Sequence, residues 1–122
     1  MSKAPKKQHQ VYFMSTESHE IQLDEALRDL ESVRSLMHDY SSPAELAPGL
    51  KLHDICEYYM LLRGYVDLLR EISAMPAVPG ESPGTQDYVM PPEQMLLMKF
   101  YVNMCAASMI KLKGHGLSLL IN

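Results

Sequence analysis

Residues 95–113, MLLMKFYVNMCAASMIKLK, limit what this chain can become more than any other stretch. Apolar residues fill it, four of them methionines, and only Lys99, Asn103 and Ser108 interrupt it before the closing lysines. A membrane-spanning helix needs about 20 predominantly apolar residues. This stretch falls short of that, and it carries Lys99 within it and Asn103 at its midpoint; a charged side chain near a helix centre costs about 2.5–3.5 kcal/mol on insertion scales. It is therefore expected to be a helix of a water-soluble fold, with no membrane span. Along it Lys99, Asn103, Ala106, Ala107 and Ile110 form one line that turns from polar to small, which suits the close approach of another helix. Met95, Leu96, Met98, Tyr101, Val102, Met104, Cys105, Met109 and Leu112 are expected to be covered, making this helix the central and most buried element.

Two further helices precede it. Over residues 17–40, Leu23, Leu27, Leu30, Val33, Met37 and Tyr40 recur at steps of three and four, the spacing of one apolar helix face. The STES segment supplies residues that cap a helix start. From Leu52 to Met75 the apolar arc is wider than the roughly 100° that packs on one neighbour, so this helix is expected to be covered on two sides. Of its polar residues, Asp54, Glu71 and Ser73 among them, most follow one narrow line: His53, Glu57, Arg63, Asp67 and Arg70, completed by Met60 and Ala74. Gly64 lies mid-helix, costing about 1 kcal/mol relative to alanine, and fits either a close crossing or a tolerated defect. PAVPGESPG, residues 76–84, reads as a linker, since its prolines and glycines cannot continue a helix. Pro91 or Pro92 suits the opening of the third helix. The expectation is an all-α fold: a small bundle of three main helices with a Pro/Gly-rich connection before the last. Residues 1–15 are expected to be a weakly ordered tail, with VYFM a short strand or a staple on the first helix, and residues 16–122 a single domain.

The 122 residues carry a net charge of −4, which supplies no basic field for nucleic acid. Charge is uneven: the first 13 residues are +3, residues 17–40 are −5, residues 41–94 are −5 and residues 95–122 are +3. Two isolated cysteines, Cys56 and Cys105, make a poor disulfide framework. With no signal-peptide pattern at the N-terminus, a cytoplasmic location is expected.

No serine–histidine–acid signature, CxxC or phosphate loop is present, and no metal or cofactor is called for. His53 and Glu57, in HDICE, are four apart and could offer a nitrogen and an oxygen to a metal, with His19, His38, Asp39 or His115 as a third ligand; a solvated helix stripe accounts for them more simply. Arg34 and His38 have one residue fewer between them than the arginine–histidine spacing of some dimeric helical ribonucleases, and lie on an acidic helix. The reading adopted is a non-enzymatic interaction protein, of adaptor, inhibitor or immunity type, acting as a helical homo-oligomer. Two very apolar helices must be hidden, and copies of the chain can hide them. Glu20, Asp24, Glu25, Asp29 and Glu31 on the first helix are the expected partner-facing surface. Two alternatives stand beside it. One is a small-ligand protein, its nucleotide-like or aromatic ligand held at a subunit interface by Tyr58, Tyr59, Arg63, Tyr65, Lys99 and Asn103. The other is a dimeric ribonuclease using Arg34 and His38.

Overall fold

The structure is a computed structural model and describes residues 11–39 and 52–114. In chain order these form β1 (Tyr12–Ser15), α1 (Thr16–Asp39), α2 (Leu52–Ile72), β2 (Ala77–Pro79), β3 (Gln86–Met90) and α3 (Pro92–Gly114). The expected breaker SSPAELAPG, His115, the tail LSLLIN and residues 1–10 lie outside the described residues.

Each helix begins where local chemistry permits. The Ser15 hydroxyl accepts the backbone N–H of Ser18 at 3.0 Å, satisfying one of the donors a helix start leaves open. Pro92 opens α3, where its missing N–H costs nothing.

α2 is the central element. α1 and α3 each pack along it and have no comparable contact with one another. Its buried side chains, Ile55, Tyr58, Leu62, Val66, Leu68, Leu69 and Ile72, cover a wide arc and are met from α1 by Ala26, Leu30 and Val33, and from α3 by Met98, Cys105 and Leu112. The line His53, Glu57, Met60, Arg63, Asp67, Arg70 and Ala74 is exposed throughout, as the sequence predicts. Gly64 marks a close crossing: a Cβ there would stand 2.6 Å from the Tyr101 ring of α3. The ring therefore rests on bare backbone.

The expectation of a central α3 is overturned. Met98, Cys105 and Leu112 are buried, but Leu96 is 67% and Ile110 71% exposed, and Val102 and Met104 are exposed too. A helix that is apolar all round has no preferred face. α2 also lacks polar residues on two sides, but its single polar line fixes how it sits between its neighbours.

The fold is mostly helical, and a small sheet makes the all-α description approximate. β3 lies in the middle, antiparallel to both β1 and β2, with Phe13 opposite Val89 and Ala77 opposite Tyr88. The segment read as a linker is thus largely a hairpin. Its turn is closed by Gly80 N–H to Thr85 O at 2.8 Å, and Gly84 takes a φ of +82°, which only glycine adopts without strain. Pro79 ends an edge strand, where a missing donor does no harm. Tyr12–Ser15, inside the stretch expected as a tail, is the other edge. His19, 4% exposed, ties sheet and helices together. Its Nε2–H donates to the Leu69 carbonyl at 2.6 Å, and its ring stands edge-on to Tyr88 with centroids 5.0 Å apart.

Candidate interaction groove and exposed helix face

Because α1 and α3 flank α2 without closing on each other, a groove runs between them. A cavity of about 210 Å³ is lined by Gln22, Glu25, Ala26 and Asp29 of α1, by Tyr58, Leu62 and Tyr65 of α2, and by Val102, Cys105, Ala106 and Met109 of α3. A second cavity, about 230 Å³, shares Gln22 and Val102 and continues toward Phe13, Met14, Met90, Met95 and Met98. The lining is apolar and rich in methionine, a side chain that adapts to irregular surfaces.

One acidic group is sunk into this apolar setting. Asp29 is 3% exposed and accepts the Tyr58 hydroxyl at 3.0 Å. The helix period explains it. Asp29 follows Ala26 by three residues and precedes Val33 by four, so it shares their face. Burial, and then the Asp29 carboxylate, push the Tyr58 hydroxyl far above the usual tyrosine range. Burial followed by Asp29 also raises the Cys105 thiol to about 11. Burial, with the nearby Cys105 and Glu25, raises Tyr65 to about 12. Tyr65 donates to Gln22 Oε1 at 2.8 Å. These groups stay neutral at ordinary pH and line the groove as packing and hydrogen-bonding groups, not as nucleophiles.

The five acids expected to face a partner are therefore divided. Asp29 is buried, Glu25 lines the groove, and Glu20, Asp24 and Glu31 are exposed. The six residues expected to share a ligand pocket are divided too. Tyr58 and Tyr65 line the groove. Tyr59 pairs with Arg63 on another side of α2, with Arg63 Nη1 3.4 Å from its hydroxyl and the guanidinium 5.9 Å from its ring centre. Arg63, and with it Arg34, hold that hydroxyl below the ordinary range. Lys99 and Asn103 are exposed on α3.

Arg34 is engaged with Glu31 at 3.2 Å, and His38 is exposed in the last turn of α1. The His53 pair gains Asp54 as its neighbour, the three donor atoms lying within 4.8 Å of one another. Such a set could hold a divalent cation. The Lys111 ammonium already stands 3.3 Å from Asp54 and 3.8 Å from Glu57 and supplies positive charge there. His19, weighed as a third ligand, is committed to Leu69 instead.

The outward face of α3 is the other prominent surface. Leu96, Phe100, Asn103, Ala107 and Ile110 are all exposed, spaced four, three, four and three. That is the spacing of a helix–helix seam. Lys99 and Ala106 flank the seam on the groove side, since Ala106 lines the groove and Lys99 lies seven residues before it. The numbers were present in the sequence, but with apolar residues all round α3 no one spacing stood out. By length and composition alone, Pro92–Leu112 is apolar enough to cross a membrane.

Comparison with models of known protein families, with curated proteins and with solved structures found nothing that matches this chain.

Proposed function

We propose that this chain is a non-enzymatic interaction protein that works as a homodimer, joined through the outward face of α3. The observation that carries the reading is the seam Leu96–Phe100–Asn103–Ala107–Ile110, apolar at three positions, small at one, and left exposed among the described residues. Contiguous exposed apolar surface of this kind marks an interaction site. A face that recurs with heptad spacing suits a second copy of itself, because a two-fold axis lets one patch serve both subunits. Asn103, mid-seam, has the role a single polar residue plays in fixing register. Lys99 and Asn103 also weigh against lipid as the covering medium. The exposed acids Glu20, Asp24 and Glu31 on α1 stay outside this seam and offer a surface to a basic partner, where charge governs encounter and specificity.

Phe100→Glu is the direct test. It places a charge in the seam at a residue that is exposed within the chain, so the monomer fold is expected to keep its helix content. Dissociation of the dimer is expected to rise by about 30-fold or more, the effect of losing a central aromatic anchor. Sedimentation velocity over a concentration series measures it. An unchanged dimer would remove α3 from the interface. A wild-type chain that stays monomeric and instead floats with lipid vesicles would replace the second copy with a membrane.

A further inference from the structure

We infer that His53, Asp54 and Glu57, at the start of α2, form a binding site for zinc or a similar divalent transition-metal ion, which enters by displacing the Lys111 ammonium. The site does not depend on the dimer proposed above.

One helix supplies all three donors. His53 and Glu57 are four residues apart and share a face of α2, and Asp54, three residues before Glu57, stands beside them. One donor atom from each residue lies within 4.8 Å of the other two. A tetrahedral metal holds its donors at about 2.0–2.1 Å, which sets them roughly 3.3 Å from one another. His53 and Glu57 are exposed, so rotation about their side-chain bonds closes the remaining distance without moving the helix. Asp54, its side chain only 13% exposed, is the fixed member around which the other two gather.

α3 shows independently that a cation is held at this point. The Lys111 ammonium stands 3.3 Å from Asp54 and 3.8 Å from Glu57. Its hold is weak, because the lysine side chain is half exposed and an ion pair so open to water contributes little. A divalent ion brings twice the charge and also takes the lone pair of the His53 imidazole, a third contact that the two ion pairs do not use. Each carboxylate has two oxygens and about four lone-pair positions, so Asp54 and Glu57 can ligate through one oxygen and keep other partners on the second. The donor set names the class of metal. An imidazole with two carboxylates suits zinc and its neighbours, whereas magnesium and calcium take oxygen ligands. Three protein donors leave one position open to water. Binding therefore exchanges a tie between α2 and α3 for a set of bonds within α2, and frees Lys111.

Calorimetric titration of the full-length chain with zinc chloride tests this. One ion per chain is expected at this site, with no saturable binding of magnesium at the same concentrations. His53→Ala and Glu57→Gln change exposed residues, and circular dichroism checks that each variant keeps its helices. Each is expected to weaken zinc binding by about tenfold or more, since even groups that only orient a ligand are worth that much. Lys111→Met is expected to tighten it by about threefold or more, because a competing positive charge is removed. A chain that binds no zinc would overturn the inference, and equal affinity in wild type and His53→Ala would place the metal elsewhere and overturn it too. Weaker binding by Lys111→Met would contradict the exchange, since the lysine would then support the site instead of occupying it.

Discussion

Tyr58→Ala is expected to destabilise the chain by about 3–5 kcal/mol, the range for emptying the site of a large buried aromatic side chain. Tyr58 is fully buried and is the largest such side chain among the described residues. It stands on the central helix, against α1 and at the floor of the groove, so its ring joins the α1–α2 contact to the cavity beside α3. Tyr58→Phe separates the hydroxyl from the ring. It keeps the packing and removes the 3.0 Å bond to Asp29, a hydrogen bond to a buried charged acceptor, which contributes about 1.5–3 kcal/mol. Urea unfolding of the two variants measures both quantities. A loss below about 1 kcal/mol for Tyr58→Ala would mean the site collapses freely, and the core would have to be centred elsewhere.

Alkali is expected to unfold the chain cooperatively, and the buried hydroxyls give the pH window. The fold raises Cys105 from 9.0 to about 11 and Tyr65 from 10.0 to about 12, and moves Tyr58 in the same direction. In each case the neutral form is the one the fold accommodates. The unfolded chain loses these protons first, so rising pH favours it. The stabilisation is complete below the unfolded values of 9.0 and 10.0 and is lost as pH climbs through about 11 to 12. Tyr59, held lower by Arg63 and Arg34, is expected to ionise while the helices remain intact. Tyr58 and Tyr65 are expected to ionise only together with loss of helix. Following tyrosinate absorbance and circular dichroism in one titration distinguishes the two phases. Ionisation of every tyrosine with helix content unchanged would contradict the buried placement of Tyr58 and Tyr65.

These two residues also show how far the sequence could be read. The polar line on α2 located its exposed face, because a row that holds most of a helix's charges fixes the side turned to solvent. Apolar spacing and flanking prolines located the helices to within a few residues. Of the sheet only the first strand was legible, as one of two readings of VYFM; β2 and β3 are three and five residues long and lie in or beside a run of proline, glycine and serine, where turn chemistry outweighs strand propensity. α3 was misjudged because composition says how apolar a helix is, while only the pattern says which side is covered. Asp29 was grouped with the solvated acids by residue type, although its spacing from Ala26 and Val33 already put it on the inner face. The tyrosines of α2 looked like one cluster in the linear sequence. The helical turn sends Tyr58 and Tyr65 to one side and Tyr59 to another.

The α3 face carries the account of function, and a monomer with that face in water would expose Leu96, Phe100 and Ile110 without a role. The most direct test is the mass of the wild-type chain in solution, by light scattering during size-exclusion chromatography, without detergent and over a range of concentrations. The expected mass is twice the 13.8 kDa of one chain, persisting on dilution into the micromolar range. A single 13.8 kDa species at every concentration would contradict it.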